Sequence, residues 1–161
     1  MNRPRWFLYV IAVLTLLADQ STKWWALRAL APLHSITILP GLFNLTFVEN
    51  PGVAFGLFPG YGTFISIIII ILGVSSIWLL KQICWQRISP NLIGGLLVGG
   101  AIGNLADRLR FDYVVDFLDL HLGNYASWPV FNIADSAICV SFTWMFILML
   151  RSPEKTDKTS D

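Results

Sequence analysis

Charge is scarce in this chain: Asp, Glu, Lys and Arg make up 13% of its 161 residues, against roughly 25% in soluble domains. Histidine occurs twice, as the isolated His34 and His121, with no ligand spacing between them, so no metal site is expected. HExxH, GxSxG and P-loop patterns are missing, and neither a serine nor a cysteine has an evident base beside it. Zinc-hydrolase, serine-hydrolase and nucleotide-hydrolysing chemistries therefore lack their signatures. The two cysteines, Cys84 and Cys139, form no CxxC and fall at different depths of the topology derived below, so free thiols are expected rather than a disulfide. A formal net charge of +1 argues for no particular partner, and no nucleic-acid partner is expected.

What the chain has in abundance is apolar sequence: 55% of it is hydrophobic, with a mean hydropathy of +0.65. Apolar runs of about 18 to 20 residues read as membrane-spanning helices. Four such spans are predicted, at about 6–27, 63–80, 88–107 and 128–150. An all-α polytopic membrane protein follows, as one integral-membrane domain over 1–151 with a disordered polar tail, "SPEKTDKTSD", at 152–161. Arg3 and Arg5 precede the first apolar run as in a signal peptide, but no small-x-small site follows it, so a retained first helix is expected.

Basic residues set the expected orientation. Arg3, Arg5, Lys81, Arg87, Arg151, Lys155 and Lys158 flank one side, seven in all, and Lys23, Arg28, Arg108 and Arg110 the other, four in all. The excess places both termini in the cytoplasm. Trp6, Trp24, Trp25, Trp78, Trp85 and Trp128 lie near span ends, where interfaces favour indole rings. Two segments then lie outside, at about 31–62 and 109–127. In the first, Phe43, Leu45 and Phe47 alternate with Asn44 and Thr46 after a Pro40-Gly41 turn, which predicts a strand with one apolar face. In the second, "FDYVVDFLDLHL" is ambiguous: Asp112, Asp116 and Asp119 could share a helical face, while Leu118 to Leu122 alternates as a strand does.

Seven of the ten acids fall on the outer side: Asp19, Glu49, Asp107, Asp112, Asp116, Asp119 and Asp135. Asp135 stands inside the fourth span, where ionisable residues usually face the bundle interior and mark a site. A plainer role is available, because Asn132 can cap the helix and the dipole favours an acid three residues on. Asp116, between the apolar pairs of "VVDFL", is either a solvated loop acid or a partner for Asp135. Two such carboxyls brought together would share one proton near neutral pH, and such a pair can hydrolyse an amide. In the third span Gly95, Gly99 and Gly103 recur every four residues on one face, inviting close helix packing. Asn104 and Asp107 follow near its outer end. Arg108 next to them suits a lipid phosphate, an acid, or a plain interfacial anchor.

Five blocks carry a family resemblance: "DQSTK" (Asp19 to Lys23), "NPGVAFG" (Asn50 to Gly56), "GGAIGNLADR" (Gly99 to Arg108), "VVDF" (Val114 to Phe117) and "FNIADSAI" (Phe131 to Ile138). With them, the sequence resembles the bacterial lipoprotein signal peptidases, the type II signal peptidases, from about Phe7 to Leu150. Pro51 and Val53 fill variable positions. The resemblance implies four transmembrane helices topped by a small outer β-cradle. It implies an aspartic endopeptidase, without metal or cofactor, that cleaves prolipoproteins just before a diacylglyceryl-modified cysteine at the outer face of the bacterial cytoplasmic membrane. Asp116 and Asp135 match the catalytic pair. Asn104 and Asn132 match residues that support the pair and the substrate backbone, and Arg108 matches a substrate-contacting arginine with Asp107 beside it. Asp19, Lys23, Asn50, Gly52, Ala54, Phe55, Gly100 and Ala134 match positions around the site. Diacylglyceryl prolipoproteins and membrane lipids are the expected partners, and a monomer the expected state. The rival classes are a small transporter or channel subunit using the intramembrane acid, and a scaffold packed through its glycines.

Overall fold

The computed structural model describes residues 6–52, 64, 67, 68, 71, 73, 75, 89–123 and 125–150. Helix α1 (Trp6–Trp25) is 20 residues long, about 30 Å at 1.5 Å per residue, the thickness of a bilayer's hydrocarbon core. It buries Ala12, Thr15, Asp19 and Lys23, and the stripe continues through Ala26 and Leu30 in a π-helical turn, Ala26–Leu30. That three-or-four-residue spacing keeps one face inward. Tyr9, Val10, Val13, Leu14 and Leu17 point outward and are exposed. Polar groups inside and aliphatic groups outside reverse the order of a helix bathed in water, and suit one bathed in lipid. Near its end the Arg28 guanidinium lies 4.3 Å above the Trp24 ring, a cation–π pair.

Helix α2 (Ser89–Phe111) packs against both α1 and α3 (Ile133–Leu150). By length and composition its stretch Asn91–Phe111 suffices to cross a membrane, and Ile133–Leu148 is a shorter apolar helix. Close approach explains the predicted glycine face. A Cβ at Gly95 would lie 2.5 Å from Ile11, one at Gly99 2.5 Å from the Ala12 carbonyl oxygen, and one at Gly103 2.5 Å from the Asp19 carboxylate. Gly100 serves the other neighbour, since its Cβ would meet the Ala134 carbonyl oxygen on α3 at 2.6 Å. On α3 the face toward α2 is small, with Ala134, Ala137 and Ser141 buried. The Ser141 hydroxyl donates to the Ala137 and Ile93 carbonyl oxygens, at 2.7 and 3.1 Å.

A four-stranded antiparallel sheet stands at the end of the bundle, in the order β1 (Ser35–Leu39), β2 (Phe43–Asn50), β3 (Val114–Leu122), β4 (Ala126–Ser127). The Pro40-Gly41 turn joins β1 to β2, with Gly41 at φ 73°, a value glycine adopts without a Cβ clash. Ala26, Leu30, Val115 and Phe117 form a buried cluster, with Ile36, Leu45, Phe47 and Ile133 packed on it. The cluster fastens the sheet to the end of α1.

Several expected boundaries move. The "FDYVVDFLDLHL" segment resolves as strand β3, so Asp112, Asp116 and Asp119 do not share a helical face. Helix α2 runs to Phe111 rather than 107 and stops at Asp112, which takes φ 63° while its N–H returns to the Arg108 carbonyl oxygen at 3.0 Å. Helix α3 starts at Ile133, not 128, because Phe131 is bridged to Leu118 of β3 and Asn132 is the cap. The first helix ends at Trp25 rather than 27 and passes into its π turn, and β2 extends the predicted strand to Asn50. The span at 63–80, apart from isolated helical positions, and the tail, Cys84, Ala54 and Phe55 lie outside the described residues.

The glycine packing makes a direct prediction. Gly99→Val should lower stability by about 1–3 kcal/mol through overpacking against backbone, read as the thermal or denaturant midpoint in detergent. A midpoint equal to the parent's would contradict the close contact with α1.

Candidate active site

The strand β3, the cap of α3 and the C-terminal end of α2 converge on two carboxyl groups. Strand β2 contributes through a bulge. Leu45 pairs with Leu118, but the register then shifts so that Val48 lies opposite Asp116 and Asn50 opposite Val114. Residues two apart on a strand share a face, so the extra residue puts Asn50, not Glu49, on the face of Asp116. The Asn50 amide nitrogen donates to Asp116 Oδ2 at 2.8 Å. Its carbonyl oxygen accepts the Gly52 N–H at 3.0 Å, which fixes which end of the amide faces the acid.

Asn132 holds both carboxyls. Its Oδ1 accepts the Asp135 N–H at 2.8 Å, capping α3, and the Asp135 Oδ2 accepts the Asn132 N–H at 3.3 Å in return. This is a reciprocal capping box. The cap leaves Asn132 Nδ2 directed at Asp116 Oδ1, 2.6 Å away. Strand-like pairing of Phe131 with Leu118 sets this placement, with bonds of 2.8 and 3.0 Å. The plain capping role of Asp135 is therefore realised, and the same Asn132 amide links it to Asp116.

Behind the pair lies a buried ionic core. The Lys23 ammonium, 2% exposed, sits 3.0 Å from Asp19 and 2.9 Å from Asp107. It also donates to Asn104 Oδ1 at 2.8 Å. Asn104 Nδ2 donates to Asp135 Oδ1 at 2.7 Å. Asp19 Oδ1 accepts the Ala134 N–H at 2.9 Å, and Asp107 Oδ2 the Val115 N–H at 3.2 Å. One ammonium thus ties α1 and α2 together, while its two carboxylates reach the backbone of α3 and β3. Arg108 is buried, donates to the Gly52 carbonyl oxygen at 2.6 Å, and its charge acts on Asp135, Asp116 and Asp107.

Burial raises the Asp116 pKa to about 7, and the negative charge of Asp135 adds to the rise; bonds from Asn50 and Asn132 and the charge of Lys23 pull the other way without cancelling it. Near neutral pH this acid is thus divided between its protonated and ionised forms. A neutral carboxyl beside an ionised one can serve as an acid and a base in the same reaction. Among the described residues, no group of three His, Cys, Asp or Glu is arranged to hold a metal ion.

Of the expected site residues, Asp19, Lys23, Asn50, Gly52, Asn104, Asp107, Arg108, Asp116, Asn132, Ala134 and Asp135 form one bonded network, and Gly100 packs against it. Sequence reading missed Gln20, whose amide nitrogen lies 2.9 Å from Asp107 Oδ1 and 3.2 Å from both Asp19 Oδ2 and the Gly103 carbonyl oxygen. Its position one residue after a buried acid was the available signal. His121 is not isolated, as its Nε2 is 2.8 Å from Asp119, which in turn accepts from Thr46 at 2.6 Å. These groups belong to neighbouring strands, a juxtaposition that spacing along the chain does not reveal.

A family model described as signal peptidase (SPase) II matches residues 11–151. A protein of Oleidesulfovibrio alaskensis named lipoprotein signal peptidase is 42% identical over 148 residues, covering 86% of this chain and 91% of its own. One of Shewanella pealeana with the same name is 43% identical over 166 residues, covering 98% and 92%. Two solved structures titled as bacterial membrane enzymes superpose with TM-scores of 0.80 and 0.74 at 29% and 31% identity. They cover 96% and 91% of this chain, and 93% and 94% of their own. The polar-inside helices, the two carboxyls and these matches agree: the chain belongs to the signal peptidase II family.

Proposed function

We infer that this membrane enzyme removes signal peptides from prolipoproteins, and that it does so as an aspartic endopeptidase whose reacting groups are Asp116 and Asp135. The observation that carries the reading is the single residue Asn132 bonded to both carboxyls, at 2.6 Å to one and through the capping box to the other. One member of the pair is ionised and takes a proton from water; the other is protonated and gives its proton to the carbonyl oxygen as the new C–O bond forms. The proton taken from water then passes to the departing amine as the C–N bond breaks.

The finer reading concerns the substrate and the membrane. The bond cleaved is the one before a diacylglyceryl-bearing cysteine, whose acyl chains stay in lipid and hold the scissile bond at the depth of the site. Four spanning helices, cytoplasmic termini and an outer sheet fit this arrangement. Support comes from the crowding of Asp19, Lys23, Asp107, Arg108 and Asp116, all buried, at the end of the bundle that carries the sheet. A proton or cation carrier would instead require ionisable groups along the membrane depth. Arg108 holds the carbonyl of Gly52, whose N–H fixes the Asn50 amide that bonds Asp116. The enzyme acts as a monomer, its site being built from one chain.

Asp135→Asn should lower cleavage of a diacylated prolipoprotein by about 10²–10⁴-fold while the variant inserts and melts like the parent. Normal cleavage by the purified variant would contradict the assignment. Because the pair must keep one proton, kcat/KM should fall as pH rises through about 7, where Asp116 ionises. A rate still climbing well above that pH would contradict it.

A further inference from the structure

The paired-acid reading leaves open which aspartate holds the proton, and the surroundings of the two are unequal in a way that decides it. All four carboxyl oxygens face amide donors at 2.6–3.3 Å. Three of these four donors are side-chain amides whose orientation is locked. Asn50 is fixed by the Gly52 N–H, Asn132 by the Asp135 N–H, and Asn104 by Lys23. The last lock differs in kind. An ammonium can only donate, so the Asn104 atom 2.8 Å from Lys23 is its oxygen, and its NH₂ must point at Asp135. A positive charge on the carbonyl end polarises the amide and strengthens the donor at the other end.

Two sources of positive potential therefore converge on Asp135. One is Lys23 through the Asn104 amide. The other is the N-terminus of α3, an 18-residue helix whose first turn contains Asp135. Asp116 stands within strand β3, with no helix terminus beneath it, and its direct hydrogen-bond partners are the neutral amides of Asn50 and Asn132. The charged groups acting on Asp135 are Lys23 and Asp19 from α1, Arg108 from α2, and Asp116 from β3.

We propose that Lys23, acting through the Asn104 amide as a positioning residue, keeps Asp135 the ionised partner and leaves the shared proton on Asp116. Asp135 is then the base that takes the proton of water, and Asp116 the acid that protonates the scissile carbonyl. When the tetrahedral intermediate collapses, Asp135 returns its proton to the amine nitrogen and Asp116 recovers one from the hydroxyl. The inference rests on the paired-acid reading above but is tested without turnover.

Carboxylates open epoxides, forming a hydroxy ester as the ring C–O bond breaks and the alkoxide takes a proton from water. Diazoacetyl compounds with cupric ion esterify the protonated acid, losing dinitrogen. The full-length enzyme at about pH 6 is treated separately with an aryl glycidyl ether and with a diazoacetyl amino-acid ester, and the labelled peptide is identified by mass spectrometry. One pH unit below the Asp116 pKa of about 7, the epoxide should mark Asp135 over Asp116 by about tenfold, and the diazo reagent should mark Asp116. Asn104→Ala, which leaves Lys23 paired with both acids, should bring the epoxide ratio to near unity. So should the charge-balanced double variant Lys23→Gln with Asp107→Asn, if it melts cooperatively. Reversed or equal labelling in the parent enzyme overturns the proposal, as does an undiminished ratio in folded Asn104→Ala. Labelling as expected with no cleavage of a diacylated precursor would leave this ordering intact and overturn the peptidase assignment instead.

Discussion

One side chain, Asn132, does two jobs with the two ends of a single amide. Its oxygen caps α3 by accepting the Asp135 N–H, and its nitrogen binds Asp116 at 2.6 Å. The amide cannot flip without losing both bonds, so the helix start and the carboxyl pair are fixed together. Everything that positions Asn132 consequently positions the chemistry. Phe131 joins β3 by strand pairing, Ile133 enters the buried cluster, and Ala134 is pinned by Asp19.

The ionic core behind the pair answers a harder physical demand. An isolated buried lysine or aspartate would neutralise itself or unfold its surroundings. Here each group is multiply bonded: Lys23 to Asp19, Asp107 and Asn104, and the two acids to backbone N–H groups and to Gln20. The glycine face of α2 makes this possible. At Gly103 there is no side chain, and the Asp19 carboxylate occupies the space a Cβ would need. Close helix packing and the polar network are thus one feature, and a substitution that separates α1 from α2 would disturb the amide facing Asp135.

Much of this was legible in the chain. The inward stripe of α1, the glycine spacing, the capping signal of Asn132 and the turn at Gly41 are local, and each follows from a period of a few residues. The pairing of Asp116 with Asp135 was chemically legible as a possibility and came with the family resemblance as an expectation. What sequence could not supply depends on register between strands. The bulge between Leu45 and Val48 that exchanges Glu49 for Asn50 beside Asp116 has no marker such as glycine. Nor does the Asp119–His121–Thr46 set, which spans two strands distant in sequence. The start of α3 was misplaced because Trp128 to Phe131 is as apolar as the helix it precedes, and pairing with β3, rather than composition, decides its conformation.

The central claim is that Asp116 and Asp135 act on one reacting atom. A crystal structure of the enzyme with a lipopeptide carrying a hydroxyl-bearing tetrahedral carbon in place of the scissile amide tests it most directly. The account predicts that this hydroxyl lies within hydrogen-bonding distance, about 2.5–3.0 Å, of an oxygen on each carboxyl, with Asn132 still bonded to both residues. A hydroxyl bound elsewhere, or reached by one aspartate while the other turns away, would contradict it.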